Sequence, residues 1–203
     1  VAIRPSPTAL EIAQDRVAEK TFLADLGVPV APFRPVDDSA DLADALAALG
    51  APAILKTRRF GYDGKGQVRI DDAARAAEAL EAIRHAPAIL EGAVPFLFET
   101  SLLLAVGADG TAAAYDMPAN EHRDGILKWS RVPSAVAPET AAAALDHGRR
   151  IAAALDYVGV LAVEWFVVAD AARPGGQALV ANEMAPRVHN SGHWTQDAAA
   201  TSQ

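Results

Sequence analysis

Leu161-Ala162-Val163-Glu164-Trp165-Phe166-Val167, then a Pro174-Gly175-Gly176 break, then Ala178-Leu179-Val180-Ala181-Asn182-Glu183: these segments decide the fold. Each apolar run is short and bounded by turn residues, so Gly159 to Val168 and Gln177 to Glu183 read as buried strands joined by a tight turn. Strands joined in this way are neighbours, and each carries one Glu in apolar company. An ionised carboxylate in such a strand costs on the order of several kcal/mol unless it is paired or bound to a cation. Two facing acceptors suggest a divalent ion, and hard oxygen donors suit Mg²⁺. The competing reading is a Glu paired with Arg or Lys, or one facing solvent on an edge strand.

Past Glu183 the chain runs Met184-Ala185-Pro186-Arg187-Val188-His189-Asn190-Ser191-Gly192-His193-Trp194. That polar density emerging at a strand end suits an active-site wall. Arg187, His189 and His193 are able to bind an anion or move a proton, or to form a network that stiffens a loop.

Upstream, Thr8 and Glu11 form a capping box for one helix that runs to the Gly27 stop. Val28 to Phe33 is extended, Ser39 caps a helix through Leu49, Ala53 to Lys56 is a buried strand, and Asp71 or Asp72 opens a helix ending near Arg84. Strands are then expected at Ile89 to Glu91, Glu99 to Val106, Thr111 to Met117 and Ile126 to Val132, with a hairpin turn at Ala108-Asp109-Gly110. Asn120 to Gly125 reads as a polar turn, with His122 on the surface. A long helix follows from Pro138 to about Asp156. The pattern predicts an α+β protein with polar clusters at strand ends.

After Lys56 comes Arg58-Arg59-Phe60-Gly61-Tyr62-Asp63-Gly64-Lys65-Gly66-Gln67. Its closely spaced glycines free backbone N–H groups to line a concavity that suits phosphate oxygens beside Lys56 and Lys65, though a surface hairpin loop has the same composition. Glu91 and Glu99 read either as ligands for a ribose or amino group or as solvated strand-end carboxylates.

The chain holds 203 residues with 18 Lys plus Arg against 26 Asp plus Glu, a net charge of −8, which opposes binding to nucleic acid or an anionic membrane. A small-molecule partner is favoured. The absence of Cys rules out disulfides and thiolate chemistry, and no signal-like or membrane-length apolar run is present, so a cytoplasmic location is expected. The start at Val1, without Met, and the stop at Gln203 in what reads as the beginning of a helix suggest a piece of a longer protein.

Lys56, the Gly61 to Gln67 loop, Glu91, Glu99, His122-Arg123-Asp124-Gly125, Glu164 and Asn182 to Thr195 occur in an order that resembles the ATP-grasp core of the N5-carboxyaminoimidazole ribonucleotide synthetase family. The resemblance runs from Arg4 onward. Its Ala185 to Trp194 run is specific to that family, whereas the loop and the strand carboxylates are shared more widely. It implies an ATP-grasp fold with a lid-type subdomain at about 28–91 and a sheet body at about 92–203, without the N-terminal Rossmann-like and C-terminal domains of full-length members. It implies ATP and Mg²⁺ as cofactors, bicarbonate and 5-aminoimidazole ribonucleotide as substrates, and a full-length homodimer. By position, Arg16 and Lys56 fall to ATP phosphates and Gly61, Tyr62, Asp63, Gly64, Lys65, Gly66 and Gln67 to the loop over them. Glu91, Gly92, Ala93 and Val94 fall to the adenine edge, Glu99 to the ribose and His122 near the nucleotide. Glu164 and Glu183, beside Asn182, fall to Mg²⁺; Tyr62, Lys65, Arg187 and His189 fall to bicarbonate and carboxyphosphate. Phe60 stands where many members have Gly, and Val106-Gly107 where relatives often carry Arg-Gly. The rival readings are another ATP-grasp ligase, such as the formate-dependent glycinamide ribonucleotide transformylase, and a nucleotide-binding fragment without turnover.

Overall fold

A computed structural model describes residues 3–61 and 64–203. Its chain runs α1 (Pro7–Ala13), α2 (Arg16–Asp25), β1 (Phe33–Val36), α3 (Ser39–Leu49), β2 (Ala53–Thr57), β3 (Gln67–Ile70), α4 (Ala76–Ala82), β4 (Ala88–Gly92), β5 (Phe98–Val106) and β6 (Ala112–Ala114). It continues through β7 (Ala119–Arg123), β8 (Ile126–Arg131), α5 (Pro138–Ala154), β9 (Gly159–Ala169), β10 (Gln177–Ala185) and α6 (Thr195–Ala198).

Two antiparallel sheets result. The smaller has the order β1-β4-β2-β3 and buries Val36, Leu55, Ile70 and Leu90 against Leu42, Leu46 and Leu80 of α3 and α4. The larger has the order β10-β9-β5-β7-β8, with β6 added to β5. Its packed face sets Leu102, Leu104, Val163, Trp165 and Leu179 against Leu23 of α2 and Ile151 of α5. Strand alternation then sends Glu164 and Phe166 of β9 to the opposite face.

Several elements differ from the sequence reading. The first helix is two, because Asp15 leaves the helical conformation and its Oδ1 accepts from the N–H groups of Val17 and Ala18, capping α2. Ser6, not Thr8, caps α1, and Asp38, not Ser39, caps α3. Asp72 opens a short 3₁₀ turn, Ala73–Arg75, before α4. Of Thr111 to Met117 only Ala112–Ala114 pairs as a strand, whereas Asn120 to Arg123 is strand, with the turn confined to Asp124 and Gly125. The β5–β6 turn and the β9–β10 hairpin form as expected.

α5 lies close to the larger sheet at Gly148, where an added Cβ would clash with Leu102 Cδ2. Gly148→Ala is therefore expected to cost about 1–3 kcal/mol by overpacking, although Ala is the better helix former by about 1 kcal/mol. The urea unfolding midpoint measures this; a midpoint at or above the parent's would show that Leu102 moves aside freely.

Candidate active site

The open face of the larger sheet, the loop after β2 and the segment after β10 enclose a cleft of about 750 Å³. Its wall includes Arg16, Gly61, Gly64, Lys65, Gln67, Glu99, His122, Glu164, Asn182, Glu183, Arg187, His189 and His193. Residues spread over most of the sequence thus converge. Gly64 has a φ of 72°, and a Cβ there would come within 2.9 Å of Asp124 O and Gly125 Cα, so only Gly lets the loop lie against the β7–β8 turn. Tyr62 and Asp63 lie outside the described residues. Gly66 packs on Thr57, and Gly92, Ala93 and Val94 lie at and just after the end of β4, the amides of Gly92 and Ala93 donating to Pro32 O and Pro52 O.

Glu164 and Glu183 are directly paired across β9 and β10. Oxygens of both and a ring nitrogen of His189 lie within 4.8 Å of one another. Asn182 Nδ2 donates to Glu164 Oε2 at 3.3 Å, and Arg16 Nη1 donates to Glu183 Oε2 at 3.0 Å. The two carboxyls differ. Burial and the neighbouring Glu183 push Glu164 up to about 7. Burial also acts on Glu183, but Arg16 and Lys56 outweigh it and hold its pKa below the usual carboxylate range. Glu183 thus has the Arg partner of the competing reading, while Glu164 meets mainly its fellow carboxylate and neutral donors. A hard cation fits this oxygen set, since it would relieve the repulsion that raises Glu164.

Burial depresses His189 to about 4. The Ser191 N–H donates to its Nδ1, so Nε2 carries the proton and faces Glu164 Oε1 at 3.3 Å. Arg187 extends along the same wall, its Nη1 donating to Val188 O. His122, read from sequence as a surface residue, is half-buried and lies 2.6 Å from Glu99 Oε2, a hydrogen bond that raises its pKa.

Glu91 is no solvated strand-end carboxylate. It is 3% exposed, and its Oε2 lies 3.1 Å from Lys56 Nζ and 3.3 Å from Lys20 Nζ. Lys56 also donates to Asn182 Oδ1 at 3.3 Å, placing its ammonium between Glu91 and the carboxylate pair. Sequence reasoning missed Asp15, Glu19 and Lys20, all buried. Asp15 binds Arg58 and Arg59 at the base of the glycine loop. Lys20 donates to the carbonyls of Ala181 and Asn182, and Glu19 accepts from Met184 N. A signal was present: Lys20 is three residues before Leu23, hence on the core face of α2.

A family model described as the ATP-grasp domain matches residues 21–203. The chain belongs to the ATP-grasp family. It is 52% identical over 203 residues to the N5-carboxyaminoimidazole ribonucleotide synthase of Brucella melitensis, covering 99% of this chain and 54% of that protein. The crystal structure of N5-carboxyaminoimidazole ribonucleotide synthetase from Thermus thermophilus is 46% identical, with a TM-score of 0.89, over 100% of this chain and 53% of that one. An Aspergillus clavatus N5-carboxyaminoimidazole synthase, solved with ADP and 5-aminoimidazole ribonucleotide, is 28% identical, with a TM-score of 0.87, over 100% of this chain and 52% of that one. The chain thus spans about half the length of the relatives it matches, and the α+β ATP-grasp fold expected from sequence is present. Among the described residues no helix is long and apolar enough to cross a membrane.

The Lys20–Glu91–Lys56 triad of this ATP-grasp chain is buried enough that removing its only anion leaves two ammonium groups facing each other. Glu91→Gln is expected to cost about 3–5 kcal/mol, with part of the loss recovered in the Lys20→Met/Glu91→Gln double variant. Urea unfolding of the single and double variants checks this, and a single-variant cost below about 1 kcal/mol would show the triad to be as weak as a surface pair.

Proposed function

We propose that this chain is the ATP-grasp portion of an N5-carboxyaminoimidazole ribonucleotide synthase, a ligase of de novo purine synthesis that acts in the cytoplasm. The reaction is ATP plus bicarbonate plus 5-aminoimidazole ribonucleotide giving N5-carboxyaminoimidazole ribonucleotide, ADP and phosphate. The observation that carries this reading is the Glu164–Glu183 pair, opened toward a cleft lined by Arg16, Lys65 and Arg187 in a chain 52% identical to such an enzyme.

In this reading residues 28–91 form a lid, and the chain from Gly61 to Gln67, including Tyr62, Asp63 and Lys65, covers the phosphates. Arg16 and Lys56 orient the phosphate oxygens. Glu91 fixes Lys56, and with Gly92, Ala93 and Val94 marks the adenine end; Glu99 takes the ribose, with His122 hydrogen-bonded behind it. Glu164 and Glu183, with Asn182 beside them, would hold Mg²⁺. When bound, that ion neutralises charge on the β- and γ-phosphates. Bicarbonate is a poor nucleophile, so the protein contributes chiefly by positioning and charge compensation. A bicarbonate oxygen attacks the γ-phosphorus and ADP leaves; the acceptor amine then takes the carboxyl carbon from carboxyphosphate as the C–O bond to phosphate breaks, and the departing phosphate carries off the amine proton. Tyr62, Lys65, Arg187 and His189 surround that intermediate and exclude water, which would hydrolyse it. His189, uncharged at neutral pH, is suited to holding an oxygen through its Nε2–H without adding a cation.

The test is ADP release with bicarbonate, with and without 5-aminoimidazole ribonucleotide, on a chain of the relatives' length. Stimulation by that nucleotide is expected; stimulation by formate instead would point to another ATP-grasp ligase, and ATP binding without turnover would reduce the chain to a nucleotide-binding unit. In the same assay Glu183→Gln is expected to lower turnover by at least ~10²-fold with the fold retained. Near-parental turnover would remove Glu183 from the metal site.

A further inference from the structure

The strand that carries Asn182 and Glu183 is irregular where they sit. The β9–β10 register shifts between Ala181 and Glu183, a bulge at Asn182. Before it, Leu179 and Ala181 occupy core positions; after it the core position is Met184. The extra residue therefore sends Asn182 and Glu183 to the cleft in succession, which a regular strand, alternating faces, does not do.

The bulge is held from α2. Lys20 Nζ donates to Ala181 O at 3.0 Å and Asn182 O at 2.7 Å, and Met184 N donates to Glu19 Oε1 at 2.5 Å. Of these three backbone groups, Asn182 O is the bulged residue's own, and Ala181 O and Met184 N lie before and after it. Glu19 and Lys20 are each 1% exposed. Burying ionisable side chains is costly, and an apolar residue at either position would fill the space more cheaply but would take away a partner of the bulge backbone. The strand's alternative is a one-residue slip toward regular pairing, which turns one cleft residue into the core.

Building on the assignment of Mg²⁺ to Glu164 and Glu183, we infer that Glu19 and Lys20 are positioning residues for the metal: they hold the β10 bulge so that Asn182 and Glu183 both stay beside Glu164. Neither belongs to the set of cleft residues expected to touch nucleotide or ion. Their action passes through the backbone of β10.

The test compares Glu19→Gln with Glu19→Met, similar in size but differing in whether they offer Met184 N–H an acceptor. Mn²⁺ binding in the presence of ADP is read by electron paramagnetic resonance, and exchange of the Met184 amide by hydrogen–deuterium exchange. The Met variant is expected to bind Mn²⁺ at least ~10-fold more weakly and to exchange that amide faster, while the Gln variant stays within about twofold of the parent on the same scale. Parental Mn²⁺ affinity in the Met variant, even with faster exchange, would overturn the inference. Glu19→Ala is the second variant should Met not fold; if neither folds while Gln does, Glu19 is a folding residue alone and the inference fails. No Mn²⁺ binding by the parent would sink the metal assignment itself, an outcome distinct from the first two.

Discussion

Glu91 is a single carboxylate on β4 of the smaller sheet, and two ammonium groups reach it from different parts of the molecule. Lys20 comes from α2, packed on the larger sheet, and Lys56 from β2. Each of the three is at most 12% exposed at its side chain. Burial works against the charge on Glu91, yet the two lysines hold its pKa below the usual range. Such a triad adds little net stability compared with apolar packing, because desolvation offsets most of the attraction. What it supplies is geometry. Lys20 extends from Glu91 to the backbone of β10, and Lys56 extends from it to Asn182, so one anion fixes the smaller sheet against the strand that forms the cleft floor.

From that anchor the charge order of the cleft follows. Lys56 and Arg16 face Glu183 and keep it ionised, so the proton of the carboxylate pair resides on Glu164, whose pKa sits near neutrality. Glu183 is thus matched by cations, whereas Glu164, pushed up by burial and by Glu183, faces that carboxylate and an uncharged His189. A divalent cation held by Glu164 and Glu183 would supply positive charge at that point.

The parts of this arrangement that are legible in the sequence are those set by local pattern. The apolar runs of β9 and β10 and their Pro-Gly-Gly break specify a hairpin, and that hairpin alone places Glu164 near Glu183. The bulge is not legible, since Ala181-Asn182-Glu183 has no feature distinguishing a bulge from a regular strand; it is the partners on α2 that favour it. Asp15 looks like the interior of one long helix because the apolar spacing continues through it, while its side chain in fact ends the helical run by capping the next. β7 reads as a turn because Asn120-Glu121-His122-Arg123 lacks apolar alternation. Its pairing is sustained by neighbours instead: Asn120 bonds Ser101 and Ser130, and His122 bonds Glu99. The family resemblance points to the cleft residues, but which of their charges are paired, and with what, is decided by tertiary contacts.

Phe60 shows the same division between local preference and imposed geometry. It has a φ of 62°, in the left-handed region, and is 94% exposed, so it incurs about 1–2 kcal/mol of backbone strain and gains almost nothing from burial. A residue held that way is answering to its neighbours. Just before it, Arg58 N donates to Pro87 O, Arg58 O accepts from Arg16 N, and Asp15 binds the side chains of Arg58 and Arg59. Just after it, Gly61 fits against the Arg16 side chain, where a Cβ would lie 3.1 Å from Nη2. The chain must therefore turn sharply between an anchored base and a close approach to α2, and the turn falls at position 60. Glycine would meet that demand without strain. Phenylalanine meets it because the Asp15 anchor, not the residue at 60, sets the path by which the loop enters the cleft.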